Sequence, residues 1–183
     1  GGFVSAPSAN TSGRPSPTTA QHVLEDLNGR IDMVIDGGSV DIGLESTILD
    51  MTVDPPMILR PGAITSDMFE EVIGPVSVDE TILGSESEKA PKAPGMKYRH
   101  YAPKAKLIIV EGDLRDEILA IRQIAYAAHR EGKPVGIIAT DETLPFYKYG
   151  IVKNIGTREN EKTIARNLYR VLREFDEEAV DAI

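Results

Sequence analysis

The sequence contains no cysteine, and none of its apolar runs is long enough to span a bilayer. The lack of cysteine excludes disulfides, zinc sites built on thiolates and thiol catalysis. The formal net charge of −9 argues against broad electrostatic binding to nucleic acid, so an anionic ligand has to be held by local donors. Since the sequence also does not open on a cleavable signal, we expect a cytoplasmic protein.

Common nucleotide-binding patterns are missing as well. Neither Gly-x-x-x-x-Gly-Lys-Ser/Thr nor Gly-x-Gly-x-x-Gly occurs. The histidines His22, His100 and His129 lie far apart and lack the spacing of metal ligands, and His22 and His129 fall on predicted helices as packing or surface residues. We therefore predict neither a metal site built from protein side chains nor a catalytic nucleophile.

A hydroxyl-rich stretch is present instead, over residues 5–18, which read Ser-Ala-Pro-Ser-Ala-Asn-Thr-Ser-Gly-Arg-Pro-Ser-Pro-Thr. Pro17 suits the first turn of a helix, Ser16 suits its N-cap, and Gly29 ends the apolar stripe that follows. Such a loop offers backbone amides and a positive helix end to an anion. An ordinary capped surface loop explains the pattern at least as well.

The rest of the chain predicts an α/β protein. A short helix is expected after an N-cap at Thr65. The later half alternates buried strands with amphipathic helices, which is typical of a parallel sheet flanked by helices. The predicted strands cover residues 33–35, 45–51, 57–59, 107–110, 135–139 and a part around 151–152. The longer helices have apolar faces over 114–125, where the helix is closed by His129, Arg130 and Gly132, and over 164–175.

Residues 83–104 separate two predicted domains, at 1–82 and 105–183. The first half of this segment has almost no apolar content and reads as a linker. Its last part, residues 97–104, interleaves aromatic and basic side chains: either a solvated linker with anchoring tyrosines, or a strap over a nucleotide. Because the chain opens on Gly-Gly-Phe-Val and stops in a strand-like Val-Asp-Ala-Ile, we expect a fragment cut inside a domain at each end.

Two further positions suggest ligand binding. Ser46 lies between a carboxylate and a second hydroxyl at the entry of a predicted strand, which suits an amino acid or a phosphate. Strand propensity with local hydrogen bonding also explains this pattern. Arg60 ends a strand before Pro-Gly, where its guanidinium is suited either to grip a phosphate or to form a surface ion pair.

Four motifs together resemble one family. They are the stretch over residues 5–18, Gly-Leu-Glu-Ser-Thr-Ile-Leu-Asp from Gly43, Ile-Leu-Arg-Pro-Gly from Ile58, and Ala-Pro-Gly-Met-Lys-Tyr-Arg-His-Tyr-Ala-Pro from Ala93. They resemble the two-domain Sua5 branch of the Sua5/YrdC/YciO family of threonylcarbamoyl-AMP synthases. The resemblance implies part of a YrdC-like twisted-sheet domain, a linker and a Rossmann-like parallel α/β Sua5 domain.

The resemblance also implies a nucleotidyltransferase reaction. The family joins L-threonine, bicarbonate and ATP, with Mg²⁺, into threonylcarbamoyl-AMP, which feeds the t6A modification of tRNA. By motif, the implied ATP-binding residues are Ser8, Asn10, Ser16, Arg60 and Tyr101, with Tyr98 as the second tyrosine. The implied threonine-binding residues are Ser46 and, through its backbone, Ala6.

One departure from the family is large. The N-terminal half of the YrdC-like domain, with its Lys-x-Arg phosphate-binding motif and further threonine contacts, is not in this sequence. We therefore predict that the chain is inactive alone. The alternatives are a non-catalytic RNA-binding module and a carbamoyl transferase of the hydrogenase-maturation kind. The role of the predicted C-terminal domain stays open, and we assign it no dinucleotide.

Overall fold

The computed structural model describes residues 2–3, 5, 7–82 and 103–183. The helices and strands, in chain order, are α1 (Ala20–Leu27), β1 (Ile48–Asp50), β2 (Met57–Arg60), α2 (Ser66–Ile73), β3 (Ser77–Val78), α3 (Leu114–Arg130), β4 (Gly136–Thr140), β5 (Ile151–Gly156) and α4 (Glu161–Glu177). Among these residues, no helix combines the length and apolar character of a bilayer-spanning segment.

The chain forms two compact units. One contains Gly1–Gly43 together with Tyr101–Ile183, and the other contains Leu44–His100. The first unit therefore combines the beginning of the chain with its last 83 residues. The domain boundaries at residues 82 and 105 stay a prediction.

The smaller unit, Leu44–His100, contains a three-stranded sheet in the order β1-β2-β3. β1 runs antiparallel to β2, and β3 runs parallel to it. The strand predicted over 57–59 and the N-cap at Thr65 are confirmed, since the Thr65 hydroxyl accepts from the Met68 amide at 3.4 Å. The strand predicted over 45–51 is shorter, and β3 was not predicted.

The larger unit contains the predicted parallel sheet. β4 pairs in parallel with β5. The extended residues 181–183 lie between β4 and residues 106–108, because Gly136 N donates to Ala182 O and Ile108 N donates to Ile183 O, both at 2.8 Å. The sheet itself has two strands, β4 and β5, and single parallel bridges from Ala182 to Val135 and to Lys106 continue it at the β4 edge, in agreement with the Rossmann-like parallel arrangement. The strand predicted over 107–110 is not formed beyond this bridge.

Helices cover both faces of this parallel sheet. Ile137 belongs to a core cluster with Ala125 of α3, while its neighbour Ile138 packs against the cluster formed by Val171 and Phe175 of α4. Because successive side chains of a strand point to opposite faces, α3 and α4 must lie on opposite sides of β4. Val171 and Phe175 are 0% and 1% exposed, so the tightest part of the core lies under α4.

Two predictions about the first 43 residues are wrong. Residues 33–35 form no strand, and Met33 and Ile35 are 75% and 86% exposed. Ser16 is not the N-cap of α1, because the helix begins at Ala20 and the hydroxyl of Thr19 accepts from the His22 amide at 3.4 Å. None of the described residues before Thr19 is helical, and Gly29 does follow the helix end, with φ of 73°.

Candidate nucleotide and amino-acid site

Arg60 and Ser46, predicted independently as ligand-binding residues, contact each other in the smaller unit. The guanidinium of Arg60 donates to the Ser46 carbonyl oxygen from Nε at 3.1 Å and from Nη2 at 2.9 Å, and Nη2 lies 3.1 Å from the Ser46 hydroxyl. Nη1 pairs with the Glu45 carboxylate at 2.8 Å. The ion pair weighed for Arg60 from the sequence is therefore present, and it places the cation against the Glu-Ser-Thr motif.

The Pro-Gly that follows Arg60 has a steric role here. A Cβ on Gly62 would collide with the Glu45 carbonyl oxygen and the Thr47 amide nitrogen, so only glycine allows this approach. The Thr47 hydroxyl then donates to Ile64 O at 2.7 Å. The Leu-Arg-Pro-Gly and Glu-Ser-Thr motifs thus form one packed structure.

The hydroxyl-rich loop lies in the larger unit, and the side chain of Asn10 fixes its central turn. The Asn10 side-chain amide donates to Thr11 O at 3.0 Å and to Arg14 O at 3.2 Å. Arg14 N donates to Thr11 O at 3.2 Å and closes a turn. Oδ1 of Asn10 is buried and accepts no hydrogen bond from the described residues.

Asp26 of α1 binds this loop through hydrogen bonds to its carboxylate. Its side chain is fully buried and accepts from the Thr11 amide at 3.1 Å and from the Arg14 guanidinium. Arg173 of α4 completes the cluster, since Nη2 donates to Oδ2 of Asp26 at 2.9 Å and Nε donates to Pro15 O at 3.0 Å.

The electrostatics of the cluster favour the ionised carboxylate. Burial alone would raise the pKa of the Asp26 carboxyl. The hydrogen bonds from Arg173 and the Thr11 amide, together with the charges of Arg173 and Arg14, outweigh burial and lower the pKa below its ordinary value. Two guanidinium groups share this one carboxylate, so the cluster carries a net positive charge beneath the loop.

His22 packs beside the same cluster as a neutral side chain. Its Nδ1 accepts from the Thr18 amide at 3.1 Å, which leaves the proton on Nε2. Burial lowers the pKa of the His22 imidazole, and the charge of Arg173 lowers it further. The sequence prediction of a packing role for His22 agrees with this position.

The remaining predicted ligand residues have different surroundings. Ser8 is exposed and Ser16 is half-buried, both in the larger unit. Ala6, Tyr98 and Tyr101 lie outside the described residues. Sequence reasoning missed Asp26 and Arg173, whose only signal was a charged residue beside an apolar helical stripe. The ligand roles themselves stay predictions.

A second concave region of the larger unit contains none of the predicted residues. It is a mostly apolar cavity of about 430 Å³ beside α3 and the parallel sheet, with an ion pair of Arg158 and Glu117 at 2.8 Å. Nearby, hydrogen bonds from the hydroxyl of Thr157 and, to a smaller extent, from that of Thr140 lower the pKa of the Glu142 carboxyl to about 2. Glu142 also accepts from the Arg158 amide at 2.9 Å and so fastens the loop after β5 to the end of β4.

Within the described part of the chain, no three His, Asp or Glu side chains converge in a way that suits a metal ion. The donors near the hydroxyl-rich loop are instead hydroxyl, amide and guanidinium groups. Such donors suit phosphate and carboxylate oxygens.

Two family models match consecutive parts of the chain. The model described as "Telomere recombination", for the Sua5, YciO and YrdC proteins, matches residues 1–62. The model described as "Threonylcarbamoyl-AMP synthase, C-terminal domain" matches residues 64–183.

Curated and solved relatives agree with these matches. The chain is 46% identical, over 98% of its length, to the threonylcarbamoyl-AMP synthase of Bacillus subtilis, and 45% identical, again over 98%, to that of Pyrococcus abyssi. A crystal structure of P. abyssi Sua5 complexed with L-threonine is 43% identical and covers 97% of this chain with a TM-score of 0.86. The chain spans about half the length of these relatives, 50%, 51% and 50% respectively.

Replacing Gly62 with alanine tests the packing of the two motifs. We expect Gly62→Ala to push residues 45–47 away and to lower the free energy of unfolding by about 1–3 kcal/mol, the usual cost of overpacking. Chemical denaturation of the 183-residue chain measures this loss. Gly37→Ala is the matched control, because nothing lies within 4 Å of its added methyl group. Equal stability of Gly62→Ala and Gly37→Ala would contradict the close approach.

The lowered pKa of His22 predicts that the stability of the chain depends on pH. The unfolded chain takes up a proton near pH 6.5, but the folded chain takes it up only at lower pH, because burial and the Arg173 and Arg14 charges outweigh Glu25 and Asp26. Stability should therefore fall as the pH drops below about 6.5, by at most about 1.4 kcal/mol per pH unit.

The comparison is between the wild type and His22→Asn, whose amide oxygen keeps an acceptor for the Thr18 amide. Thermal unfolding from pH 7.5 to pH 5 should show a smaller loss in His22→Asn than in the wild type. His129→Asn should keep the wild-type loss. Parallel curves for all three proteins would show that His22 does not titrate across folding.

Proposed function

The chain belongs to the Sua5/YrdC family, and from this premise we propose that it provides part of the substrate site of a threonylcarbamoyl-AMP synthase. The reaction joins L-threonine, bicarbonate and ATP and releases pyrophosphate. It is a nucleotidyl transfer, and its product serves threonylcarbamoylation of tRNA. The chain spans about half the length of its relatives, so the synthase activity of the complete protein is a proposal.

The contact between Arg60 and Ser46 carries the proposal. The family motifs assign Arg60 to ATP and Ser46 to threonine, and the two side chains lie 3.1 Å apart between Nη2 and Oγ. The reaction requires the carbamate made from threonine to meet the α-phosphate of ATP. A cation suited to phosphate that lies beside a hydroxyl suited to an amino acid is the arrangement that this encounter needs. The P. abyssi relative complexed with L-threonine supports threonine as the ligand.

The chemistry asks for positioning and charge neutralisation. The threonine amine attacks the carbon of bicarbonate and water leaves, which gives the carbamate, and a carbamate oxygen then attacks the α-phosphorus while the bond to pyrophosphate breaks. Negative charge builds on the phosphate oxygens during this step. Hydrogen-bond donors fixed before the reaction stabilise that charge, and guanidinium groups suit this purpose.

The hydroxyl-rich loop contributes to ATP binding in this proposal. The family motifs assign Ser8, Asn10 and Ser16 to the ATP phosphates, whose oxygens accept hydrogen bonds, so Oδ1 of Asn10 needs a hydroxyl or amino donor elsewhere on the nucleotide. Of the residues in the strap over 97–104, Tyr101 is the main candidate to contact the nucleotide and Tyr98 is the second. Ala6 contacts threonine through its backbone. Mg²⁺ enters as the MgATP complex, in which phosphate oxygens are its main ligands.

Calorimetric titration of MgATP, with and without threonine, tests the function. The B. subtilis relative is the reference protein, and this chain is measured alone and in a hybrid in which it replaces the matched half of that relative. We expect the hybrid to bind MgATP, more tightly with threonine, and to release pyrophosphate when bicarbonate is added. We expect the chain alone to bind weakly, because it spans only about half the length of its relatives and so supplies only part of the pocket.

Two substitutions in the hybrid separate the ligands. Ser46→Ala should weaken threonine binding more than ATP binding, and Asn10→Ala should do the reverse, each by about tenfold, the effect of losing one well-placed hydrogen bond. A folded hybrid that binds neither ligand would refute the proposed function. Salt-dependent RNA binding by that hybrid would then favour the non-catalytic alternative.

A further inference from the structure

Arg173 directs its whole side chain at the hydroxyl-rich loop, although it belongs to α4. It is 2% exposed. Nε and Nη2 donate to the carbonyl oxygen of Pro15, at the end of the loop. Nη1 and Nη2 donate to the two oxygens of Asp26 at 3.1 and 2.9 Å. One guanidinium therefore joins α4, the loop and α1.

The loop depends on this bridge at three points. Asp26, which Arg173 orients, accepts from the Thr11 amide at 3.1 Å and from Arg14. Arg173 itself holds Pro15, whose side chain is fully buried. Between these points the turn from Thr11 to Arg14 carries the two carbonyl oxygens that fix the Asn10 amide.

The energetics favour a single loop conformation. A buried guanidinium is costly unless its donors and its charge are satisfied, and removing one partner of a buried ion pair is strongly destabilising. Arg173 has its partners only while Pro15 and Asp26 keep their present positions. Movement of the loop would therefore take the Pro15 carbonyl oxygen away from Nε and Nη2 of Arg173 and leave buried donors without this acceptor.

The charges also suit an anion. Arg14 and Arg173 share the single carboxylate of Asp26, so one positive charge remains uncompensated within the cluster. Nε of Arg14 is buried without an acceptor among the described residues. In a chain with a net charge of −9, this is a local positive region beneath the loop.

We propose that Arg173 is a positioning residue for nucleotide binding: from α4 it holds the loop over residues 10–16 in the conformation that accepts the ATP phosphates. This inference rests on the proposed function for its ligand. The proposal assigns a function to the C-terminal part of the chain, because α4 stabilises a loop that belongs to the family's catalytic domain. ATP affinity then depends on α4 without contact between α4 and the nucleotide.

Peptide-resolved amide hydrogen exchange on the 183-residue chain tests the support directly. Arg173→Met removes the guanidinium and keeps most of the side-chain length. We expect the amides of Thr11 and Arg14 to exchange at least about tenfold faster in this variant, because they lose their buried acceptor or their turn. Protection of β4 and β5 should stay as in the wild type, which shows that the sheet remains folded.

Arg170→Met is the matched control. Arg170 lies on the same helix, has a side chain that is 37% exposed, and contacts Glu174 and Asn167 of α4 rather than the loop. In Arg170→Met, the amides of Thr11 and Arg14 should exchange as in the wild type. Should Arg173→Met fail to fold, Arg173→Lys replaces it, because an ammonium keeps the charge but cannot bridge Pro15 and Asp26 with a planar fork. Unchanged loop exchange in a folded Arg173 variant would overturn the inference.

The hybrid with the B. subtilis relative supplies the functional readout. Arg173→Met should raise the KM for ATP about tenfold, and Arg170→Met should leave it unchanged. A variant that only loses folded protein would lower kcat with KM unaltered, and that result would contradict a positioning role. If the wild-type hybrid binds no ATP, the proposed function fails, while the exchange experiment still decides whether α4 holds the loop.

Discussion

The buried ion pair of Asp26 and Arg173 joins parts of the chain that are 147 residues apart. Both side chains are almost fully withdrawn from water, so each needs the other to offset the cost of desolvation. A second contact reinforces the pair, because Gly43 approaches the backbone of α4 so closely that a Cβ would collide with the carbonyl oxygen of Arg166. The first 43 residues are therefore fixed to α4 at two places, although the family models assign the two segments to different domains.

Both compact units use one device to shape a segment that the sequence assigns to ligand binding. In the smaller unit, Arg60 bridges the carbonyl of Ser46 and the carboxylate of Glu45. In the larger unit, Arg173 bridges the carbonyl of Pro15 and the carboxylate of Asp26. A planar guanidinium suits both tasks, because its donors diverge at fixed angles and so define the positions of two acceptors. The loops are thus shaped before a ligand arrives, which lowers the cost of binding.

Local patterns predicted much of this fold, and contacts distant in sequence account for the errors. The long helices α3 and α4 and the strand β4 follow from periodicity that needs no partner to be visible. The apolar run over 33–35 has the composition of a strand, but no strand among the residues that the structure describes pairs with it. The motifs placed Arg60 and Ser46 in a candidate site. No pattern indicated that Arg173 would meet Asp26, since a charge beside an apolar stripe is compatible with many surroundings.

The position of residues 181–183 has a consequence for the order in which the molecule is assembled. These residues lie between 106–108 and β4, so two earlier segments can acquire their shared neighbour only after all of α4 has been made. β5 and α4 pack on β4 through shorter separations and can form first. Pairing across long stretches of chain slows folding, because the loops must close before the contacts form. During synthesis the edge of β4 that Ala182 covers therefore stays open until α4 has been made.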